Sequence, residues 1–143
     1  MRIILDTNVL LSGLLSSQGA PAMLVDAWER KLFTLVACGT LIAEFRDVAA
    51  RPFFKARLRA SAVEMLATGL RDFSFFCQEV RSGPIAPDPA DSYLLALAEA
   101  SAAQFLVTGD KRLQSLKHHK SIRIVSPAEM IQLLNKAEKG NQP

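Results

Sequence analysis

The chain has 143 residues, half of them apolar, two cysteines and a formal net charge of +3. That length and composition suffice to bury one sizeable core and argue for a single domain. They argue against a disulfide scaffold or a zinc knuckle, because Cys38 and Cys77 are distant in sequence, lie among apolar residues and form no C-x-x-C pair. The mild positive charge permits a polyanionic partner without demanding one.

The opening Met1-Arg2-Ile3-Ile4-Leu5 could begin a signal peptide, with Ala20-Pro21-Ala22 as a cleavage site, but Asp6 and Asn8 interrupt the apolar stretch that a signal needs. The longest uncharged stretch, Leu32 to Ala43, contains Thr34, Gly39 and Thr40 and is too short and broken to span a bilayer. The expectation is a soluble cytoplasmic protein with reduced thiols and no membrane segment.

Short β-rich apolar runs alternate with longer segments of helical period, the pattern of an α/β fold in which a parallel sheet carries helices on both faces. Five strands are predicted. The first is Arg2 to Leu5, followed by a helix from about Val9 to Leu15; Gly19 then turns the chain into a second helix, with Pro21 in its first turn, running to Lys31. Phe33 to Cys38 is the second strand. Gly39-Thr40 should cap a third helix that stops near Ala50, because Arg51 precedes Pro52. A short turn over Phe53 to Leu58 leads to a helix from Ser61 to about Asp72, and Phe75 to Val80 reads as the third strand.

Ser82 to Pro89, with three prolines and a glycine, is a loop. A helix from Pro89 to Ala102, a strand from Gln104 to Thr108, a strand from Ile122 to Val125 and a helix opened by Ser126-Pro127 complete the chain. The end, Lys139 to Pro143, is polar and aperiodic, so residues 138–143 are expected to form a flexible tail behind a domain of residues 1–137.

Four acids stand at positions that suit chemistry. Asp6 directly follows the first strand and Asp110 follows the fourth, and open α/β sheets bind ligands at the carboxyl ends of strands. If those strands are neighbours, the two carboxylates converge. Each also has a simpler use, Asp6 as a cap of the helix that follows and Asp110 as a cap of a short helix beginning at Lys111.

Asp91 falls in line with Leu94, Leu95, Ala98 and Ala102, the stripe that must face the core, where a carboxylate wants a partner. Asp88-Pro89-Ala90-Asp91 is equally a helix start, with Asp88 as cap. Glu44 borders the apolar face of Leu41, Ile42, Phe45, Val48 and Ala49; it lies four residues after Thr40, one too many for a capping box. An ordinary solvated residue is its alternative. Together the four acids would form an oxygen-only site for a hard cation such as Mg²⁺ or Mn²⁺.

The order and spacing of Ile4-Leu5-Asp6-Thr7-Asn8-Val9-Leu10, Leu41-Ile42-Ala43-Glu44-Phe45, Asp88-Pro89-Ala90-Asp91 before Tyr93-Leu94-Leu95-Ala96-Leu97-Ala98, and Leu106-Val107-Thr108-Gly109-Asp110 resemble the PIN-domain family, in particular its small VapC-like members that act as toxins of toxin–antitoxin pairs. Ile124-Val125-Ser126-Pro127-Ala128-Glu129 is similar to the family's closing strand and helix. The resemblance implies a single three-layer domain and a metal-dependent endoribonuclease. It implies Asp6, Glu44, Asp91 and Asp110 as catalytic metal ligands around one or two Mg²⁺ or Mn²⁺ ions, with Thr7, Asn8 and Thr108 as hydrogen-bonding neighbours. It further implies single-stranded or looped RNA as substrate, a cognate antitoxin as partner and a homodimer or higher homo-oligomer. The chain departs from the family around the third block, where Ala86-Pro87 and Ala90 stand in place of a basic residue and further acids.

Lys111, Arg112, Lys117 and Lys120, within a basic stretch that also holds His118, His119 and Arg123, are candidates to hold RNA phosphates beside Asp110, with a solvated basic face as the alternative. The adjacent histidines lack the three- or four-residue spacing of a helical zinc pair and read as surface residues. Arg51, Lys55, Arg57 and Arg59 form a second basic group, and Trp28 with Met23, Leu24 and Ala27 an apolar face that serves the core or a partner. A nucleotide-binding domain is disfavoured because no glycine-rich loop follows the first strand. The remaining alternative is a non-catalytic PIN-like module that grips RNA or protein without cutting.

Overall fold

A computed structural model describes residues 1–78 and 92–140 of the chain. Its centre is β1 (Arg2–Leu5), in which Ile3, Ile4 and Leu5 are all fully buried. An unbroken apolar run is what a strand covered on both faces requires. β1 pairs in parallel with β2 (Thr34–Cys38) on one side and β4 (Phe105–Val107) on the other. β3 (Phe75–Cys77) extends the sheet beyond β2, and β6 (Ile122–Val125) extends it beyond β4.

A sixth strand, β5 (His118–His119), pairs antiparallel with β6, so the order is β3-β2-β1-β4-β6-β5. This strand is additional to the five expected from the sequence. It has two polar residues, too few to display a period of two, and it lies between Lys117 and Lys120, whose φ angles of 60° and 55° turn the chain sharply at either end. β3 ends at Cys77, earlier than expected, and residues 79 and 80 lie outside the described part. β2 and β3 bring Cys38 and Cys77 into register, and both thiols are free.

Helices cover the sheet. α1 (Thr7–Leu15) packs on α2 (Ala20–Glu29) and α3 (Gly39–Ala49), and α3 packs on α5 (Ala60–Asp72). α6 (Ser92–Ser101) lies across β1 to β4 with Leu94 through Ala98 all buried, which explains why its sequence is apolar all round rather than along one stripe. Its expected start at Pro89 lies outside the described residues. α4 (Pro52–Lys55) is a single turn with proline in its first position. α7 (Lys111–Gln114) is equally short, and α8 (Pro127–Gly140) packs on α2. Ser126 and Glu129 form a reciprocal capping box at the start of α8. That helix continues to Gly140, further than the polar composition of its last turn suggested.

The expected Gly39-Thr40 cap does not form. β2 runs directly into α3, with Cys38 at the N-cap, because its extended backbone (φ −150°, ψ 169°) already has the geometry an N-cap needs. Trp28 is a core residue, packed over Gly69 with its indole N–H donating to the Phe73 carbonyl at 3.1 Å. No described helix is long and apolar enough to cross a membrane.

Two glycines shape the α1–α2 corner. Gly19 has a φ of +96°, a conformation other residues enter only with strain. Gly13 lets the helices approach, since a Cβ there would lie 2.8 Å from Val25 Cγ2 and 3.1 Å from the Pro21 carbonyl oxygen. Gly13→Ala should therefore destabilise the protein by about 1–3 kcal/mol, despite the better helix propensity of alanine. A urea melt with an unchanged or higher midpoint would contradict that close approach.

Candidate active site

Leu5 of β1 and Val107 of β4 are register partners, so Asp6 and Thr108 leave the sheet side by side. β2 and β3 lie to one side of β1, and β4 and β6 to the other. The chain therefore reverses its winding between β1 and β4, the switch point at which open α/β sheets leave a crevice beyond the strand ends.

Asp6 is only 6% exposed. It occupies the N-cap position of α1, yet its side chain makes no capping hydrogen bond. The capping alternative therefore does not account for this carboxylate. Thr108, fully buried, donates from Oγ1 to Asp6 Oδ2 at 2.8 Å, and the Asp6 backbone N–H donates to the Val107 carbonyl at 2.9 Å. Burial pushes the Asp6 carboxyl above its ordinary range, the Thr108 hydrogen bond opposes the rise, and the charges of Glu44 and, more weakly, Asp110 add to it.

Asp110 combines both of its predicted placements. Its Oδ1 accepts from the Arg112 backbone N–H at 2.8 Å, which caps α7, while its own N–H donates to Thr108 Oγ1 at 3.0 Å. The Gln114 amide donates to the Thr108 carbonyl at 2.7 Å and ties α7 to this loop. Glu44, half-buried on α3, accepts at Oε2 a hydrogen bond from the Tyr93 hydroxyl of α6. Burial and Glu44 hold the Tyr93 phenol far above its ordinary range. Thr7 is buried and its hydroxyl makes no hydrogen bond of good geometry, although it lies close enough to Tyr93 to favour the phenolate slightly. Asn8 is exposed on the first turn of α1.

Asp88 and Asp91 lie outside the described residues. Among the described residues, no three His, Cys, Asp or Glu side chains close on one ion position. The donor chemistry nonetheless fits a hard divalent cation. The donors are all oxygens, Asp6 is a buried carboxylate whose charge is disfavoured, and the buried Thr7 hydroxyl beside it lacks a good partner.

The basic residues divide. Lys111 and Arg112 are exposed at the start of α7, and Lys117 with His118 and Arg123 lines a hollow of about 290 Å³. Lys120 instead meets Glu99 of α6 at 2.6 Å, and His119 meets the same oxygen at 2.9 Å. His119, with its side chain 19% exposed, is thus a partly buried hydrogen-bonding partner of Glu99 rather than the surface residue its sequence suggested. Lys120 and His119 hold Glu99 below the usual carboxylate range. In the second basic group, Arg57 is folded back on its own turn, 3.9 Å above the Phe53 ring.

Sequence reasoning gave no role to Tyr93 or Gln114. For Tyr93 a signal existed: it is the chain's single tyrosine and lies two residues from Asp91. Gln114 offered none.

The family model described as the PIN domain matches residues 2–112, which include Asp6, Glu44, Asp91 and Asp110. The chain belongs to the PIN-domain family. Among solved structures, this PIN domain is similar to the VapC20 toxin of Mycobacterium tuberculosis, described as cleaving the sarcin–ricin loop. The TM-score is 0.51 at 13% identity, covering 85% of this chain and 98% of that one, a likeness of fold. No curated protein matches the chain in sequence.

Because Asp110 of this PIN domain both caps α7 and bears charge on Asp6, two substitutions should separate those roles. Asp110→Asn retains a good cap and should leave stability within about 0.5 kcal/mol, whereas Asp110→Ala should cost about 1 kcal/mol. If the charge serves catalysis, both should lose cleavage alike. Thermal melts read the first comparison and RNA cleavage rates the second.

Proposed function

We propose that this PIN domain is a Mg²⁺- or Mn²⁺-dependent endoribonuclease, the toxin of a toxin–antitoxin pair, that hydrolyses single-stranded or looped RNA in the cytoplasm. The observation that carries the reading is Asp6. It is a buried, uncapped carboxylate at the switch point of the sheet, with the charges of Glu44 and Asp110 bearing on it. Membership of the PIN-domain family and the likeness of fold to an RNA-cleaving toxin support it.

On this reading Asp6, Glu44, Asp91 and Asp110 hold the cation. When bound, a divalent ion supplies charge stabilisation at the phosphoryl oxygens and lowers the pKa of the attacking water. Thr108 orients Asp6 through its hydroxyl, and the buried floor of Leu5 and Val107 limits water below the carboxylates. Lys111, Arg112 and Lys117 attract the phosphates on either side of the cut. The pairing of Lys120 with Glu99 makes it the weakest contributor of the predicted set.

A protein partner has a surface to cover. An apolar hollow of about 1290 Å³, lined by Trp28, Phe33, Met65, Phe73 and Phe75 among others, shares no residue with the carboxylates. Met65 and Phe73 are 75% and 76% exposed there. A cognate antitoxin or a second copy of the chain in a homodimer would bury them.

The test is cleavage mapping on total RNA with and without Mn²⁺, using Asp6→Asn as control. Discrete cuts that need both the ion and Asp6 support the nuclease. A second reading is a non-catalytic RNA- or protein-binding module. Weak Mn²⁺ binding and no cleavage across varied RNAs would select it.

A further inference from the structure

Glu44 is the acid least supported by its own neighbourhood. It sits on the border of an amphipathic helix, half-exposed, where a free glutamate side chain samples many rotamers. Its one hydrogen bond among the described residues comes from Tyr93, forty-nine positions away in sequence, on the helix that crosses the sheet. Both ends of that contact are anchored. Leu41 and Phe45 on either side of Glu44 are fully buried, and Tyr93 is followed by the buried run Leu94 to Ala98.

The contact is asymmetric at the carboxylate. Tyr93 donates to Oε2, and no described residue donates to Oε1. A carboxylate fixed at one oxygen presents the other in one direction, which is how hydrogen bonds behind a ligand set its orientation and basicity. Without the hydroxyl, Glu44 would be free to swing toward solvent, away from the like charge of Asp6.

From this we infer that Tyr93 is a positioning residue of the site, holding Glu44 by one carboxylate oxygen so that the other is presented to the divalent cation. The inference rests on the proposed cation site at Asp6 and Glu44. Tyr93 touches neither substrate nor ion; it acts through Glu44.

Because Tyr93 is the only tyrosine, the tyrosine component of a near-ultraviolet difference spectrum, separated from the overlapping band of the single tryptophan Trp28 by subtracting the same titration of Tyr93→Phe, reports this one contact. A cation that draws on the Glu44 carboxylate weakens it as an acceptor, and the tyrosine band should move to shorter wavelength as Mn²⁺ is added. The experiment titrates wild type, Tyr93→Phe, Asp6→Asn and Glu44→Gln with Mn²⁺. Bound ion is followed by electron paramagnetic resonance, the tyrosine band by difference absorption, and folding by thermal melts without metal.

The expected result has four parts. Wild type binds Mn²⁺, Asp6→Asn does not, Tyr93→Phe stays folded but binds about ten- to a hundredfold more weakly, and the tyrosine band moves in wild type but not in Glu44→Gln. If Tyr93→Phe is unfolded, the band shift in wild type and its absence in Glu44→Gln still decide. Wild-type affinity in a folded Tyr93→Phe, or a band indifferent to bound Mn²⁺, overturns the role of Tyr93 while leaving the cation site standing. Wild type that binds no Mn²⁺ overturns both.

Discussion

Asp6→Asn is expected to lower divalent-dependent RNA cleavage by on the order of 10³-fold, the scale of losing a preorganised electrostatic group, while leaving the fold intact. Asparagine has nearly the same shape, and its carbonyl oxygen can still accept the 2.8 Å hydrogen bond from Thr108. What it removes is a charge that burial, Glu44 and Asp110 all disfavour. The variant should consequently melt higher than wild type at neutral pH without divalent ions. The sign follows from linkage. An acid whose folded pKa is raised binds more protons in the native state than in the unfolded one, so its ionisation lowers stability as pH rises from the unfolded value through the folded one. The melting difference between Asp6→Asn and wild type should therefore shrink as pH falls, and Mn²⁺ should raise the melting point of wild type alone. Undiminished cleavage by the folded variant would remove Asp6 from the chemistry.

Phe45→Ala should carry a large cost in stability, about 3–5 kcal/mol, because Phe45 is the largest of the side chains that are fully buried. A domain of this size has only about 5–15 kcal/mol to lose. Phe45 and Glu44 are consecutive on α3, so the same packing that fills the core fixes the helix that carries the acid. Met65→Ala, on an exposed face of α5, should stay within about 0.5 kcal/mol and serves as the comparison. Urea midpoints for the two read the contrast directly; similar midpoints would mean that Phe45 is not the anchor its burial indicates.

How far the sequence could be read depends on the range of the interaction concerned. β1 was legible because burial on both faces leaves an unbroken apolar run, and Asp6 because it follows that run immediately. That the Asp6 side chain declines the cap while Asp110 accepts one could not be read, since both have the same local grammar. The difference comes from Thr108, whose hydroxyl reaches Asp6 only once β1 and β4 are adjacent. The partner of Glu44 and the capture of Lys120 and His119 by Glu99 are likewise products of tertiary structure. β5 escaped for the opposite reason: its two histidines are too short a segment for any pattern.

That small strand has a consequence for how the molecule keeps to itself. The sheet is otherwise parallel, and its β6 side would present a row of unpaired peptide groups to any passing chain. β5 covers that row for two residues and then turns away at both ends through left-handed lysines, Lys117 and Lys120. A neighbouring molecule finds there a template too short to zip onto, flanked by Lys117 and by a Lys120 already held by Glu99. Growth of the sheet on this side is limited to what a two-residue strand offers, which leaves the β3 edge and the helical faces as the surfaces through which the molecule can associate.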